Sequence, residues 1–95
     1  MPKSREDFVD LTYEACETEF EQSVAQIMAE VLDVDRVGRA DSFYDFAGTS
    51  LQAIRICARI ESTLGFKALP LWLLSHDLLH EFVAELLNQT EQTNA

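Results

Sequence analysis

The chain is short of the residues that interrupt helices: three glycines and two prolines in 95 residues. That is little punctuation for a many-stranded protein and enough for a few helices joined by turns. No apolar run approaches the roughly 18–20 residues of a membrane span, and the start, MPKSRED, lacks the apolar stretch of a signal peptide. A cytoplasmic protein that does not engage membrane is expected. The two cysteines, Cys16 and Cys57, stand too far apart for a metal knuckle or redox pair and read as small packing side chains. Basic residues are also scarce. Seven Lys and Arg face seventeen Asp and Glu, a formal charge of -10, and nucleic acid needs the opposite balance.

What is present suits one small globular domain. Hydrophobic residues make up 47% of the chain, too many for a disordered one. Thr18 and Glu21 have the spacing of a capping box, and Phe20, Val24, Ile27 and Val31, with Met28 beside them, recur at helical period. This predicts a helix ending near Leu32. Upstream, Phe8, Leu11 and Ala15 after Ser4 form a weaker stripe that predicts a short extra helix, the alternative being a disordered lead-in. Residues 33–49 form a long connection, DVDRVGRADSFYDFAGT, whose aromatics Phe43, Tyr44 and Phe46 are expected to pin it to the core.

A second helix runs from Ser50 to about Leu64, closed by Gly65. Its apolar residues form two sets. Ala53, Ile56, Cys57, Ile60 and Leu64 face a core, while Leu51, Ile54 and Ala58 make a second stripe, separated from the first by little more than Arg55. A helix with one buried face normally carries polar groups there, so this stripe is a candidate partner surface. Pro70 to Leu74 reads as a short helix. A last helix is expected from about Leu78 to Leu87, with Leu79, Phe82, Val83 and Leu86 inward and Asp77, or else Ser75, as its cap. The residues NQTEQTNA read as a frayed tail.

Three lookalike motifs fail on their chemistry. Asp33, Asp35 and Gly38 imitate a calcium loop, but Val37 and Tyr44 stand where oxygen ligands are needed. His76 and His80 are four apart without an evident third ligand. Gly48-Thr49-Ser50 imitates a nucleophile elbow without its second glycine, and a Ser50, His76, Asp77 triad would place base and orienting acid side by side in sequence, a poor geometry.

Around Ser50 the chain reads DSFYDFAGTSL. Gly48 allows a tight turn, and Ser50 opens a helix whose free amides and dipole suit an anion on the hydroxyl. Taken alone, the turn is that of an ordinary serine cap. The wider pattern points elsewhere. The segment resembles the signature Asp-x-Phe-Phe-x-Leu-Gly-Gly-[His/Asp/Thr]-Ser-Leu of phosphopantetheine-dependent carrier proteins, most closely the peptidyl (thiolation) carriers of nonribosomal peptide synthesis. IMAEVLDVDRVG, LQAIRICARIESTLGF and LPLWLL are similar to that family's first three helices and their connections, and the resemblance spans about residues 18–87.

The resemblance implies an all-α, four-helix bundle with 4′-phosphopantetheine attached to Ser50, flanked by Gly48 and Thr49. A phosphopantetheinyl transferase would add the arm from coenzyme A, and an adenylation or other loading enzyme would charge its thiol. Downstream condensation or tailoring enzymes would take the cargo. The chain itself would be a non-catalytic, monomeric carrier that contacts them through Leu51, Ile54, Arg55 and Ala58. Residues 1–17 then form an acidic extension, 18–88 the carrier domain and 89–95 a disordered tail. A free-standing carrier is expected. The alternatives are an acyl carrier of polyketide or fatty-acid synthesis, or an unmodified helical adaptor. Ala47 replaces the first glycine of the usual pair, Thr49 tilts the reading to the peptidyl class, and the usual Pro-Thr before the last helix is missing. Seven of the seventeen acids lie in residues 6–21, whereas the second helix carries Arg55 and Arg59 against Glu61, so docking by an acidic second helix is not expected.

Overall fold

The computed structural model describes residues 1–93, with side chains to residue 90. Four helices carry the fold: α1 (Glu19–Leu32), α2 (Ser50–Leu64), α3 (Pro70–Ser75) and α4 (Leu79–Thr93). α1 packs on α2 and α4, and α3 bridges α2 and α4. This is the expected four-helix bundle, and no strand forms among the described residues.

Local chemistry sets most helix ends. The Thr18 hydroxyl accepts the Glu21 amide at 3.0 Å, satisfying one of the unpaired donors at the start of α1. The box closes differently from its spacing, because the Glu21 carboxylate reaches back to the amide of Glu17 at 2.9 Å and also takes Arg39. α1 stops at Asp33, in the left-handed region at φ 59°, and α2 stops at Gly65, at φ 74°.

The core follows the sequence periodicity. Val24, Ile27 and Met28 of α1 are buried against Ala53, Ile56, Cys57 and Ile60 of α2 and Leu79, Phe82, Val83 and Leu86 of α4. Phe20 and Val31 are half-buried at its edge. Burial pushes the Cys57 thiol up to about 12, so it packs as a small hydrophobe with no thiolate at neutral pH. α4 begins at Leu79, close to the expected start, but departs from expectation at its other end. It continues past Leu87 to Thr93, and the remainder of the expected tail, 94–95, lies outside the described residues. Neither Ser75 nor Asp77 caps it from the adjoining position. The Asp77 carboxylate instead accepts the Ser42 hydroxyl from the long connection.

The expected N-terminal helix is absent. Residues 5–7 form a single 3-10 turn capped by Ser4, and no further helix forms before Glu19. Phe8 reaches the core edge, its ring 5.8 Å from that of Phe46, but Leu11 and Ala15 are exposed. The reason lies in the backbone pairing. Lys3 exchanges bonds with the connection after α1, donating to the Asp33 carbonyl at 2.9 Å and accepting the Asp35 amide at 2.8 Å. Further along, the Arg39 amide donates to the Glu14 carbonyl at 2.9 Å. The segment is a strap across residues 33–41, and this tertiary pairing displaces the local helix.

Arg5 anchors the strap. Its Nε and Nη2 donate to the two Asp41 oxygens at 2.6 and 2.8 Å, and Nη2 also donates to the Leu11 carbonyl at 2.9 Å. Asp41 additionally accepts the Gly38 amide at 2.7 Å. Both side chains are 1% exposed. Removing one partner of such a pair strands a buried charge, at a cost of about 3–5 kcal/mol. Tyr13 completes the site, its ring 3.8 Å from the Arg36 guanidinium carbon.

Two outcomes follow from this architecture. Burial pushes the Asp41 carboxyl up, but the bonds from Arg5 and Gly38 outweigh it and hold it below the usual carboxylate range. Glu21 is held low in the same way, burial being outweighed by Arg39 and the Glu17 amide. Both groups bind protons less readily folded than unfolded. The stability they contribute is therefore full above their unfolded values of about 3.9 and 4.3, and it is lost as pH falls through the depressed folded ones. Urea midpoints should hold down to about pH 5 and fall steeply below about 4, with Asp41→Asn showing a shallower fall. Ala47, which closes the 3-10 turn Phe43–Phe46, sits at φ 57°, a region that costs an L-residue about 1–2 kcal/mol. Ala47→Gly should raise stability by about 0.5–1 kcal/mol in thermal melts.

Candidate functional site

The turn before Ser50 is built on a buried ring. The 3-10 turn Phe43–Phe46 puts Phe43 and Phe46 into the core. Tyr44, expected there too, stays on the surface with its hydroxyl donating to the Leu74 carbonyl at 2.6 Å. The middle of the connection is tied to the α4 start, where the Phe43 amide donates to the Asp77 carbonyl at 2.8 Å and the Leu79 amide to the Asp41 carbonyl at 3.1 Å.

Gly48 is required for a reason other than the expected one. Its φ is not positive, and the left-handed position of the turn falls on Ala47. What excludes a side chain is the Phe43 ring, whose Cζ would lie 2.4 Å from a Cβ at Gly48. The backbone here rests on the aromatic face.

Thr49, not Ser50, caps α2. Its hydroxyl accepts the Gln52 amide at 3.2 Å, and the Gln52 side chain accepts the Thr49 amide at 3.0 Å, a complete capping box. Ser50 is thereby the first helical residue. It is exposed, and no described group hydrogen-bonds its hydroxyl. The amides of Ser50 and Leu51, in the first turn, have no intrahelical acceptor. Free amides and the positive end of the helix dipole beside a free hydroxyl suit a phosphate ester at that oxygen. The sequence does carry a signal for this division of labour, Thr-x-x-Gln over 49–52, the spacing of a capping box.

The second apolar stripe of α2 is on the outside. Leu51 is 56% and Ile54 52% exposed, and Ala58 is exposed as well. On α3, which packs against α2, Leu71 is 67% exposed, a residue that periodicity over so short a helix does not single out. Of the two α2 arginines, Arg59 is engaged by Glu30 at 2.9 Å. Arg55 has no ion pair among the described residues. Glu61 turns away to accept the Ala68 amide at 3.0 Å.

The lookalike sites do not assemble. His76 closes α3 and lies 3.2 Å from Glu85, whereas His80 is on α4 and Asp77 is committed to Ser42. Ser50, His76 and Asp77 make no hydrogen bond to one another. Asp35 accepts the Arg5 amide at 2.8 Å, and no group of three or more metal-binding side chains occurs among the described residues. No helix among them is long and apolar enough to cross a membrane.

Comparison with known proteins bears on the whole bundle. The family model described as phosphopantetheine attachment site matches residues 22–86. The probable non-canonical nonribosomal peptide synthetase CymA of Salinispora arenicola (strain CNS-205) is 46% identical over 52 residues, 55% of this chain and 1% of that protein. The chain spans only 1–5% of the lengths of such curated relatives. Among solved structures, a nonribosomal PCP domain superposes with a TM-score of 0.69 at 27% identity, covering 75% of this chain and 91% of that one. BlmI, a type-II acyl-carrier protein from Streptomyces verticillus involved in bleomycin biosynthesis, superposes with a TM-score of 0.66 at 26% identity, covering 80% and 87%. With the family model covering more than half of its length, this chain belongs to the phosphopantetheine attachment site family, as a peptidyl carrier of the nonribosomal peptide synthetase type that bears covalent 4′-phosphopantetheine.

Proposed function

We propose that Ser50 is the attachment residue and that the chain works as a free-standing carrier, itself catalysing nothing. The reading rests on the Ser50 hydroxyl, exposed and unengaged at the first position of α2. A phosphopantetheinyl transferase replaces the Oγ–H bond with an Oγ–P bond to the arm of coenzyme A, and 3′,5′-adenosine bisphosphate leaves. The two free amides of the α2 start then face the new phosphate. The arm's terminal thiol holds an aminoacyl or acyl group as a thioester, charged by an adenylation or other loading enzyme and passed to condensation or tailoring enzymes. The likeness to BlmI, described as a type-II carrier, supports the free-standing reading.

The partner surface in this reading is Leu51, Ile54 and Ala58 with Arg55 beside them. Apolar contact supplies affinity, and the uncommitted guanidinium selects a partner of complementary charge. The charge one turn further along the same face of α2 is already neutralised, Arg59 being paired with Glu30.

Intact mass after incubation with coenzyme A and a broad-specificity transferase should rise by one phosphopantetheine, and Ser50→Ala should abolish the gain. An unchanged wild-type mass would sink the assignment. The loaded protein should accept an aminoacyl group from an adenylation enzyme supplied as a separate polypeptide. Arg55→Glu should lower the kcat/KM of that step about tenfold; faster loading would refute the surface.

A further inference from the structure

The strap and the modification site are joined by a continuous series of contacts. Arg5 is fully buried on Asp41, with two bonds of 2.6 and 2.8 Å. Asp41 opens the segment DSFYDFAGTSL, and two residues on, Phe43 puts its ring where a Cβ on Gly48 would stand. Gly48 leads directly into the cap residue Thr49 and then Ser50. No helix or sheet ladder holds residues 33–42; the strap supplies that role through Lys3, Arg5 and Glu14.

We propose that Arg5 is a positioning residue for modification of Ser50: its buried fork on Asp41 holds the 41–49 segment, and so the backbone seated on Phe43, in the form that presents the hydroxyl to the transferase. The inference rests on the assignment of Ser50 above. Its physical basis is geometric. A guanidinium offers a rigid planar fork that matches both carboxylate oxygens, which fixes orientation as well as distance, and a lysine ammonium cannot reproduce it. With the fork gone, the 41–49 segment samples further conformers. Only the fraction in the presenting form is bound by the transferase, so the apparent KM rises by the inverse of that fraction while kcat is retained. The acidic lead-in of the chain thereby becomes a working part of the carrier domain.

The test is transferase kinetics with coenzyme A on Arg5→Lys, Arg5→Met and the double variant Arg5→Met/Asp41→Asn. The double variant leaves no buried unpaired charge and keeps the experiment informative if Arg5→Met alone fails to fold. Leu86→Ala, on α4 two turns beyond the contacts with Asp41, serves as a control for lowered stability. Folded Arg5 variants, at temperatures well below their melting points, should show KM for the carrier raised about tenfold with kcat nearly unchanged. Amide exchange at Gly48, Thr49 and Ser50 should quicken in the unmodified protein. The Leu86 variant should load like wild type. Wild-type KM in the folded double variant, or an equal rise in the Leu86 variant, would overturn the proposal. A wild-type protein that takes no arm would instead reject Ser50, and this inference with it.

Discussion

The ion pair between Arg5 and Asp41 is the constraint on which the rest of the site depends. Two charges removed from water are tolerated only when nearly every donor and acceptor is matched. Here the fork takes both carboxylate oxygens, the Gly38 amide takes one of them again, and the Leu11 carbonyl takes a further guanidinium N–H. No buried side-chain polar atom among the described residues lacks a partner. The pair ties three stretches distant in sequence: the lead-in, the connection after α1 and, through the Asp41 carbonyl and Leu79, the start of α4. A seventeen-residue connection whose regular structure is one short 3-10 turn is an entropic liability in so small a domain, and this is how it is held.

The turn leading into Ser50 is built by separating roles that one residue could have shared. Thr49 caps the helix, Gln52 closes the box, Ala47 takes the left-handed backbone and Gly48 yields space to Phe43. Each task is satisfied without the Ser50 side chain. A serine that capped the helix would have its oxygen turned toward an amide; as the first helical residue its hydroxyl stands clear of the bundle. The strain at Ala47 is local and sits three residues from the hydroxyl, where the rigid Phe43 contact limits the alternatives.

Charge is distributed with the same economy. Arg5, Arg36, Arg39 and Arg59 are all engaged by carboxylates. The acidic excess of residues 6–21 is therefore not wholly a solvated face: Glu21 is buried against Arg39, and Glu6 meets Arg36. Exposed pairs such as Arg59 with Glu30 contribute little stability, yet they quiet the surface around α2. Among the described residues, Arg55 beside the apolar stripe has no ion pair.

Most of the helical framework was legible in the sequence because it is local. Capping residues, the 3.6-residue recurrence of Val24, Ile27 and Val31, and the two faces of α2 depend on neighbours within a turn or two. DSFYDFAGTSL likewise makes Ser50 the residue proposed for attachment, since its motif is contiguous. The tertiary structure alone decided the rest. Phe8, Leu11 and Ala15 have helical spacing, but residues 3–14 pair with the connection instead, because burying Arg5 on a carboxylate thirty-six residues away and satisfying the loop backbone outweigh a short helix in water, which is marginal by itself. The need for glycine at residue 48 was visible, but its cause was not: a turn conformation is a property of local sequence, whereas a ring pressed against the backbone exists only once Phe43 has been packed. Partners far apart in the chain are chosen by burial and geometry, and a linear pattern carries neither.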